Sequence, residues 1–219
     1  MTNMSEKTRQ RGVLFDLDGV LLDSEGLYSI FWSEMDRLYS TGVPDFAAYI
    51  KGFHLKRILG YFADDNVRAE VMDRLLAYER TMKFAFFPGA LEFVKQLRQA
   101  GVPTAIVTSS DRKKMEALYS QHPEFTSLFN QIVTGDMVTR AKPDPECYVM
   151  GAKLIGVDIK DCIVVEDSRN GLIAGRDSGA SVIGIASTLP RETVFPLCDL
   201  TVNAVSELTV GQVIGMNQK

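Results

Sequence analysis

The chain has 219 residues, about one and a half times the roughly 150 residues of a typical domain. Its 46% hydrophobic and 24% charged residues are ordinary for a globular protein and exclude a disordered chain, a fibrous repeat and a membrane protein. The 24 basic and 28 acidic residues give a net charge of −4, which excludes a general nucleic-acid binder because such proteins carry a basic surface.

The cysteines and the polar N-terminal segment indicate a cellular compartment. Cys147, Cys162 and Cys198 are odd in number and show no CxxC spacing, which predicts reduced thiols rather than disulfides or a zinc site. Residues 1–11 are polar and lack the apolar segment of a signal peptide. Because no run of about 18 apolar residues occurs either, we expect a cytoplasmic protein with no membrane partner.

Six short apolar segments are typical of strands buried in a parallel sheet. They lie at residues 12–15, 103–107, 131–134, 162–165, 181–185 and 200–202. Signals for helices lie between them: apolar residues recur every third position over 91–97, and Gly101 follows as a stop signal. Pro145 can open a second helix, and Ser168 and Gly179 can bound a third. This alternation predicts an α/β fold with helices on both faces of one sheet.

Residues 20–86 interrupt the alternation, because they show helical periodicity and no convincing strand. Two apolar stripes carry this pattern. Their members are Leu27, Ile30, Phe31, Met35 and Leu38 in the first stripe, and Val67, Val71, Leu75, Tyr78 and Met82 in the second. We therefore predict a helical cap domain at 20–86, inserted after the first strand into an α/β core domain of 1–19 and 87–219. The two connections, near 22–24 and 84–88, would form a hinge that makes the cap a lid.

The first predicted strand ends in two carboxylates, in the sequence FDLDG at 15–19. Asp16 and Asp18 lie two residues apart at the carboxyl end of a strand, where open α/β sheets bind their ligands. Two such carboxylates repel each other unless a cation joins them. Mg²⁺ suits this position because it takes oxygen ligands and is often shared with a phosphate. Gly19 permits the tight turn that must follow.

Three further groups follow other predicted strands. Thr108 and Ser109 can donate to phosphate oxygens, Lys142 lies in a loop restrained by two prolines, and Glu166 and Asp167 form a second acidic pair. Taken singly, these residues are equally typical of a helix cap, a surface lysine and a charged loop. Together they supply the complementary parts of a site for a metal ion and a phosphate, because all lie at the same end of the predicted sheet.

The sequences at 15–25 (FDLDGVLLDSE), 142–145 (KPDP) and 165–168 (VEDS) resemble those of the haloacid dehalogenase-like (HAD) superfamily. Within it, the chain is most similar to the β-phosphoglucomutase-like phosphatase branch with a helical cap. The resemblance extends from residue 12 to about residue 185. It implies a Rossmann-like parallel sheet with the cap inserted after the first strand, phosphoryl-transfer activity and a Mg²⁺ cofactor.

The resemblance also assigns roles to residues. Asp16 would attack phosphorus and become an aspartyl-phosphate, and Asp18 would protonate the leaving alcohol and later activate water. Thr108 would bind the phosphate through its hydroxyl and Ser109 through its backbone N–H. Lys142 would bridge the phosphate and Asp16.

The same resemblance implies a metal site. Mg²⁺ would be held by Asp16, the backbone carbonyl of Asp18 and Asp167. Glu166 would be a further ligand or would lie behind the ligands.

Two departures from the branch favour hydrolysis over sugar-phosphate isomerisation. The mutases carry an arginine a few residues after a sequence resembling that around Lys51, and a histidine in the first cap helix. Here Leu55 and Tyr28 occupy those places, although Lys56 or Arg57 could supply the missing cation. We therefore predict a phosphatase acting on a small phosphorylated metabolite such as a sugar phosphate. A β-phosphoglucomutase-type mutase is the alternative.

A non-enzymatic alternative is a receiver-like domain, which also phosphorylates an aspartate on a parallel sheet. Such a domain would place its acceptor on a middle strand and would lack the helical insert, so the sequence disfavours it. The aromatic residues of the cap are expected to form its core, whereas Phe53 and His54 follow the Lys51 loop and could face the site. A monomer is the expected assembly.

Overall fold

A computed structural model of the chain describes residues 10–51, 53 and 55–216. Six parallel strands form one sheet in the order β3-β2-β1-β4-β5-β6. The strands are β1 (Gly12–Phe15), β2 (Thr104–Val107), β3 (Gln131–Val133), β4 (Cys162–Glu166), β5 (Ser181–Ile185) and β6 (Leu200–Val202). All six predicted strands are therefore confirmed, with ends that differ by at most one residue.

Ten α-helices occur in the described residues. They are α1 (Glu25–Tyr39), α2 (Phe46–Tyr49), α3 (Leu55–Leu59), α4 (Asp65–Thr81), α5 (Ala90–Gln99), α6 (Arg112–Gln121), α7 (Glu146–Leu154), α8 (Arg169–Ser178), α9 (Arg191–Val194) and α10 (Val210–Ile214). The predicted helix boundaries at Pro145, Ser168 and Gly179 are confirmed. The Ser168 side chain accepts a hydrogen bond from the Gly171 N–H at 3.1 Å, which caps α8.

The central strand β1 is buried on both faces, as expected for a strand in a parallel sheet. Val13 and Phe15 pack on one face, in an apolar cluster that includes residues of α5 and α6. Leu14 packs on the other face, with residues of α7 and α8. The strand order runs outward from β1 in both directions, which opens a crevice at the carboxyl ends of β1 and its neighbours.

Helices α1 to α4 have a separate apolar core. Its largest buried members are Phe31, Trp32, Met35, Phe46 and Phe62. Most of the cap aromatics therefore lie in this core, as predicted. The prediction that the first stripe faces the core was wrong for two of its members, since Ile30 is 64% exposed and Leu38 is 44% exposed. The spacing of four from Leu27 through Phe31 to Met35 defines the inward face of α1, and that face leaves Ile30 and Leu38 outside it.

The two connections to these helices lie side by side, as the sequence predicts. The Asp23 N–H donates to the Ala85 carbonyl at 2.8 Å, and the Phe87 N–H donates to the Leu21 carbonyl at 2.9 Å. A pair of adjacent strands of chain is the arrangement that a hinge requires. The division at residues 20 and 86 stays a prediction.

Cys147, Cys162 and Cys198 are free thiols, and the first two are buried. Across the described residues, every helix is too short or too polar to cross a membrane. The expected monomeric state and the expected compartment stay predictions.

Candidate active site

Asp16 follows β1 directly and is buried, and Asp18 lies two residues further along the same turn. Gly19 completes the turn with a φ of +78°, a conformation that L side chains rarely adopt. A Cβ atom at this position would also lie 2.0 Å from Oδ2 of Asp167. The glycine therefore permits both the turn and the close approach of a second acidic residue.

Lys142 joins the acidic residues of two strands. It lies in the loop between β3 and α7, and its Nζ donates to Oδ1 of Asp16 at 2.6 Å and to Oε1 of Glu166 at 2.8 Å. A third bond, of 3.1 Å, goes to the Val107 carbonyl at the end of β2. Three acceptors from three strands use the three donors of the ammonium group. The side chain is only 6% exposed, so these charge pairs are shielded from water.

Glu166, the last residue of β4, is completely buried, and both of its carboxylate oxygens are occupied. Oε1 accepts from Lys142 and from the Tyr148 hydroxyl at 3.0 Å. Oε2 accepts from the backbone N–H groups of Asp167 and Ser168, each at 2.8 Å, and from the Ser168 hydroxyl at 3.0 Å. This carboxylate therefore anchors Lys142 and fixes the turn that carries Asp167.

Asp167 carries a buried oxygen that lacks a partner. Its Oδ1 makes no hydrogen bond to the described residues. Burial raises the pKa of Asp167 well above its ordinary value, and the nearby charges of Glu166 and Asp16 raise it further. Burial also raises the pKa of Asp16 to about 7, against the lowering effect of Lys142 and with a further increase from Glu166. Lys142 thus pairs with Asp16 and Glu166, and Asp167 adds a third acidic group beside them.

This donor set fits a hard divalent cation. Such a cation binds oxygen atoms, and it would satisfy the unpartnered Oδ1 of Asp167 while relieving the repulsion from Asp16. Among residues 10–51, 53 and 55–216, no three acidic, histidine or cysteine side chains converge closely enough to hold a metal ion by themselves. A cation at Asp16 and Asp167 would therefore need further oxygen atoms as ligands, and Mg²⁺ commonly takes only one or two carboxylates.

The end of β2 supplies hydroxyl groups to the same crevice. Thr108 is buried; its N–H donates to the Val133 carbonyl at 3.0 Å, and its Oγ1 accepts from the Ser110 N–H at 3.0 Å. Ser109 lies between them, and it lines the same cavity as Asp16. The structure therefore brings Thr108 and Ser109 to the place where the sequence predicts phosphate binding.

Asp18 is surrounded by partners that the sequence did not lead us to expect. The Lys114 Nζ lies 2.6 Å from Oδ1, the Ser110 hydroxyl donates to Oδ2 at 2.9 Å, and the Ser24 hydroxyl also donates to Oδ1. Burial alone would raise the pKa of Asp18, but the charge and hydrogen bond of Lys114 hold it below its ordinary value. One signal was available: Lys114 precedes Leu118 by four residues and so lies on the apolar face of its helix.

A cavity of ≈ 260 Å³ lies between the sheet and helices α1 to α4. The carboxyl ends of the strands form its floor. Apolar side chains line much of the opposite wall: Trp32, Ala47, Ile50, Ile58, Met72 and Leu75. Polar groups there include Glu79 and the pair of Glu25 and Lys51, whose charged atoms are 3.7 Å apart. The cavity can therefore hold a small molecule with both polar and apolar surfaces.

The loop after Lys51 falls partly outside the described residues. His54, for which the sequence leaves open a position at the site or at the surface, lies outside the residues that the structure describes. Phe53 lines the cavity, as anticipated, and the Arg57 guanidinium lies 3.7 Å from the centre of its ring. Leu55, at the place where the resemblance to the mutases implies an arginine, lines the cavity as well.

The amino-acid sequence matches a known family. The family model of haloacid dehalogenase-like hydrolases matches residues 10–179 of this chain. The chain belongs to this hydrolase family. The family that the sequence motifs at 15–25, 142–145 and 165–168 predict is thereby confirmed, together with the assignment as an enzyme.

Similar proteins extend along most of the chain. Hexitol phosphatase A of Escherichia coli (strain K12) is 30% identical over 213 residues, which cover 92% of this chain and 94% of that protein. A probable pseudouridine-5'-phosphatase of Drosophila melanogaster is 30% identical over 182 residues, covering 78% and 79%. A crystal structure of a HAD hydrolase (family IA, variant 3) from Entamoeba histolytica HM-1:IMSS gives a TM-score of 0.82 at 24% identity, covering 94% and 98%. That structural likeness confirms the predicted α/β fold.

Gly171 provides a steric test of the Glu166 anchor. A Cβ atom at this position in α8 would lie 1.6 Å from Oε1 and 1.9 Å from Cδ of Glu166. We expect Gly171→Ala to displace Glu166 and Lys142, to reduce turnover at least tenfold, and to cost about 3 kcal/mol of unfolding free energy or more. Urea unfolding and a turnover assay measure both effects. Gly211→Ala is the matched control because open space surrounds Gly211. Wild-type turnover and a wild-type free energy of unfolding in Gly171→Ala would contradict the role of Glu166 as the anchor of Lys142.

Proposed function

We propose that the protein is a Mg²⁺-dependent phosphatase that hydrolyses a small phosphomonoester, a sugar phosphate or a related metabolite, through an aspartyl-phosphate. The observation that carries this proposal is the placement of Lys142 between Asp16 and Glu166, below the cavity. A phosphoryl group bound there would meet a carboxylate nucleophile and a fixed cation. Hydroxyl groups from the end of β2 would lie at its side.

In the first step, a carboxylate oxygen of Asp16 attacks phosphorus and the bond to the leaving alcohol breaks. Lys142 compensates negative charge on Asp16 and on the transferring group. Thr108 and Ser109 bind the remaining phosphate oxygens. Asp18 donates its proton to the leaving oxygen. The free enzyme holds Asp18 as a carboxylate, and the negative charge of an entering phosphate favours its protonation.

In the second step, the Asp18 carboxylate removes a proton from a water molecule that attacks the phosphorus of the aspartyl-phosphate. Phosphate leaves and Asp16 is regenerated. The cap limits access of bulk water during the first step and admits the reacting water for the second. The hydrogen-bonded connections between sheet and cap supply the hinge for this exchange.

The residues that would hold Mg²⁺ are Asp16, Asp167 and the backbone carbonyl of Asp18. When bound, the cation would neutralise charge on the transferring phosphoryl group. We assign Glu166 to the shell behind these ligands, because Lys142, Tyr148 and the turn after β4 already occupy both of its oxygens. The sequence alone left both roles open for this residue.

The relatives support a small, hydroxylated leaving group, since their names specify a hexitol phosphate and pseudouridine 5'-phosphate as substrates. The cavity volume of ≈ 260 Å³ suits a metabolite of this size. Hydrolysis is favoured over isomerisation by two features of the cavity wall. The apolar side chain of Leu55 cannot bind a second phosphate, and the Tyr28 hydroxyl already donates a hydrogen bond to Glu79 at 2.8 Å.

A phosphate-release assay tests the proposal. The panel contains hexitol phosphates, sugar phosphates and nucleoside monophosphates, with isomerisation of β-glucose 1-phosphate followed in parallel. We expect steady release from one or a few esters, no isomerisation, loss of turnover in EDTA and recovery with excess Mg²⁺. Isomerisation faster than release would establish the mutase instead. A single turnover without steady release would support the receiver-like alternative.

A further inference from the structure

Lys114 occupies a position where an apolar side chain is expected. Helix α6 buries Lys114 together with Met115 and Leu118, while the preceding Lys113 is exposed. A lysine is rarely buried unless its charge is paired, because removing an ammonium group from water is costly. The groups around Lys114 must therefore compensate its charge, and they indicate what the residue does.

The compensating groups come from both sides of the cavity. The Lys114 Nζ lies 2.6 Å from Oδ1 of Asp18, on the sheet side. It also lies 4.4 Å from the centre of the Tyr28 ring in α1, a cation–π contact. The Tyr28 hydroxyl donates in turn to Oε1 of Glu79 in α4 at 2.8 Å. One buried cation thus connects the acid–base carboxylate to two helices of the cap.

The two carboxylate oxygens of Asp18 have different hydrogen-bond partners. Oδ1 receives both Lys114 and the Ser24 hydroxyl. Oδ2 receives only the Ser110 hydroxyl, at 2.9 Å, among the described residues. A hydroxyl can donate or accept, so Oδ2 can carry a proton without losing its partner. An ammonium group can only donate, so a proton on Oδ1 would break the pair with Lys114.

We propose that Lys114 is a positioning residue for the acid–base step: it holds Oδ1 of Asp18 so that Oδ2 exchanges the proton with the leaving oxygen. This inference rests on the proposed phosphatase function and deepens it. As the bond from Asp16 to phosphorus forms and the bond to the leaving oxygen breaks, the proton moves from Oδ2 to that oxygen. Lys114 keeps its own protons and touches no reacting atom. Its contact with Tyr28 links the orientation of Asp18 to the position of the cap.

Leaving-group dependence separates this role from a merely structural one. An alkoxide must be protonated as it leaves, whereas 4-nitrophenolate is stable without a proton. We compare kcat/KM for the best sugar or sugar-alcohol phosphate of the panel with that for 4-nitrophenyl phosphate, because kcat/KM reports steps up to departure of the alcohol. Lys114→Met is expected to lower the first value about 10²-fold, as for loss of general acid catalysis, and the second by no more than about fivefold.

Three controls sharpen the comparison. Lys113→Met makes the same change at the exposed neighbouring position and is expected to alter neither value. Lys114→Arg keeps the charge and is expected to recover at least a tenth of the lost activity on the alkyl ester. Inhibition by inorganic phosphate is expected to change far less in Lys114→Met than kcat/KM for the alkyl ester, since Lys114 does not bind the phosphoryl group.

Equal losses on both esters, or no loss on either, would overturn the assignment. If Lys114→Met melts below the assay temperature, Tyr28→Leu provides the same test by removing the ring that contacts the ammonium group. It is then expected to show the same selective loss on the alkyl ester, and equal effects on both esters would again overturn the proposal. A wild-type protein that releases phosphate from neither ester would instead refute the proposed function itself.

Discussion

Replacement of Asp16 by asparagine is expected to lower steady phosphate release by at least about 10³-fold, because the amide cannot form the covalent intermediate. Asp16 is buried at the end of β1 beside Lys142, so the substitution leaves the size and position of the side chain nearly unchanged. The loss should therefore appear in turnover and not in folding. Phosphate release and thermal melting, measured on the same preparation, separate the two.

Asp73→Asn is the matched control for this prediction. Asp73 is an exposed residue of α4, and its substitution is expected to leave turnover unchanged. Turnover of Asp16→Asn within about tenfold of the wild type would contradict a covalent mechanism at this residue.

Replacement of Lys142 by methionine is expected to remove both activity and stability. Breaking a buried ion pair by deleting one partner costs about 3–5 kcal/mol, and here one cation compensates both Asp16 and Glu166. We expect a loss of unfolding free energy of this size in EDTA at pH 8, together with at least about 10²-fold lower turnover in Mg²⁺. Urea unfolding measures the first and phosphate release the second.

The stability loss in Lys142→Met should depend on pH. The pKa of Asp16 is raised to about 7 in the folded protein even with Lys142 present, so folding favours the protonated carboxyl. Stability from this group is complete below the pKa of the unfolded chain and is lost as pH rises through about 7. Lys142 lowers the pKa of Asp16, so its removal raises the free-energy cost of ionising this carboxyl in the folded protein. At pH 5 Asp16 is protonated with or without Lys142, and the loss of unfolding free energy in Lys142→Met should therefore be smaller than at pH 8. Lys153→Met, at an exposed position of α7, is the control. An equal deficit at both pH values would contradict the role of Lys142.

The fold was largely predictable because its strands are short, uniformly apolar and separated by helical spacing. Burial on both faces imposes this pattern on a parallel sheet, and residues 12–15 or 181–185 show it without ambiguity. The outer surface of the cap was less predictable. Ile30 and Leu38 fit a helical stripe yet lie at the surface, since apolar residues are also tolerated outside the core.

The site was predictable where its residues follow strands. Asp16, Thr108 and Asp167 come directly after β1, β2 and β4, so the geometry of a parallel sheet brings them together. Lys142 reaches the site from the loop after β3, so its place at this end of the sheet was predictable, whereas its contact with Asp16 was expected only from the resemblance to the HAD superfamily. The functional roles of these residues stay proposals.

The partners of Asp18 were not predictable from the order of the chain. Ser24 lies at the hinge and Lys114 lies within a helix, and only the folded geometry brings both to one carboxylate oxygen. The proposal that Glu166 lies behind the metal ligands likewise rests on the folded geometry, because its five hydrogen-bond donors come from four different residues.

Trapping of the covalent intermediate tests the central claim most directly. The enzyme is mixed with an excess of ³²P-labelled substrate from the panel, quenched in acid within milliseconds and digested. We predict a labelled peptide that contains Asp16, releases its label to hydroxylamine as an acyl phosphate does, and is absent from Asp16→Asn. Rapid hydrolysis with no label on the protein, or a label on a peptide that lacks Asp16, would contradict the account.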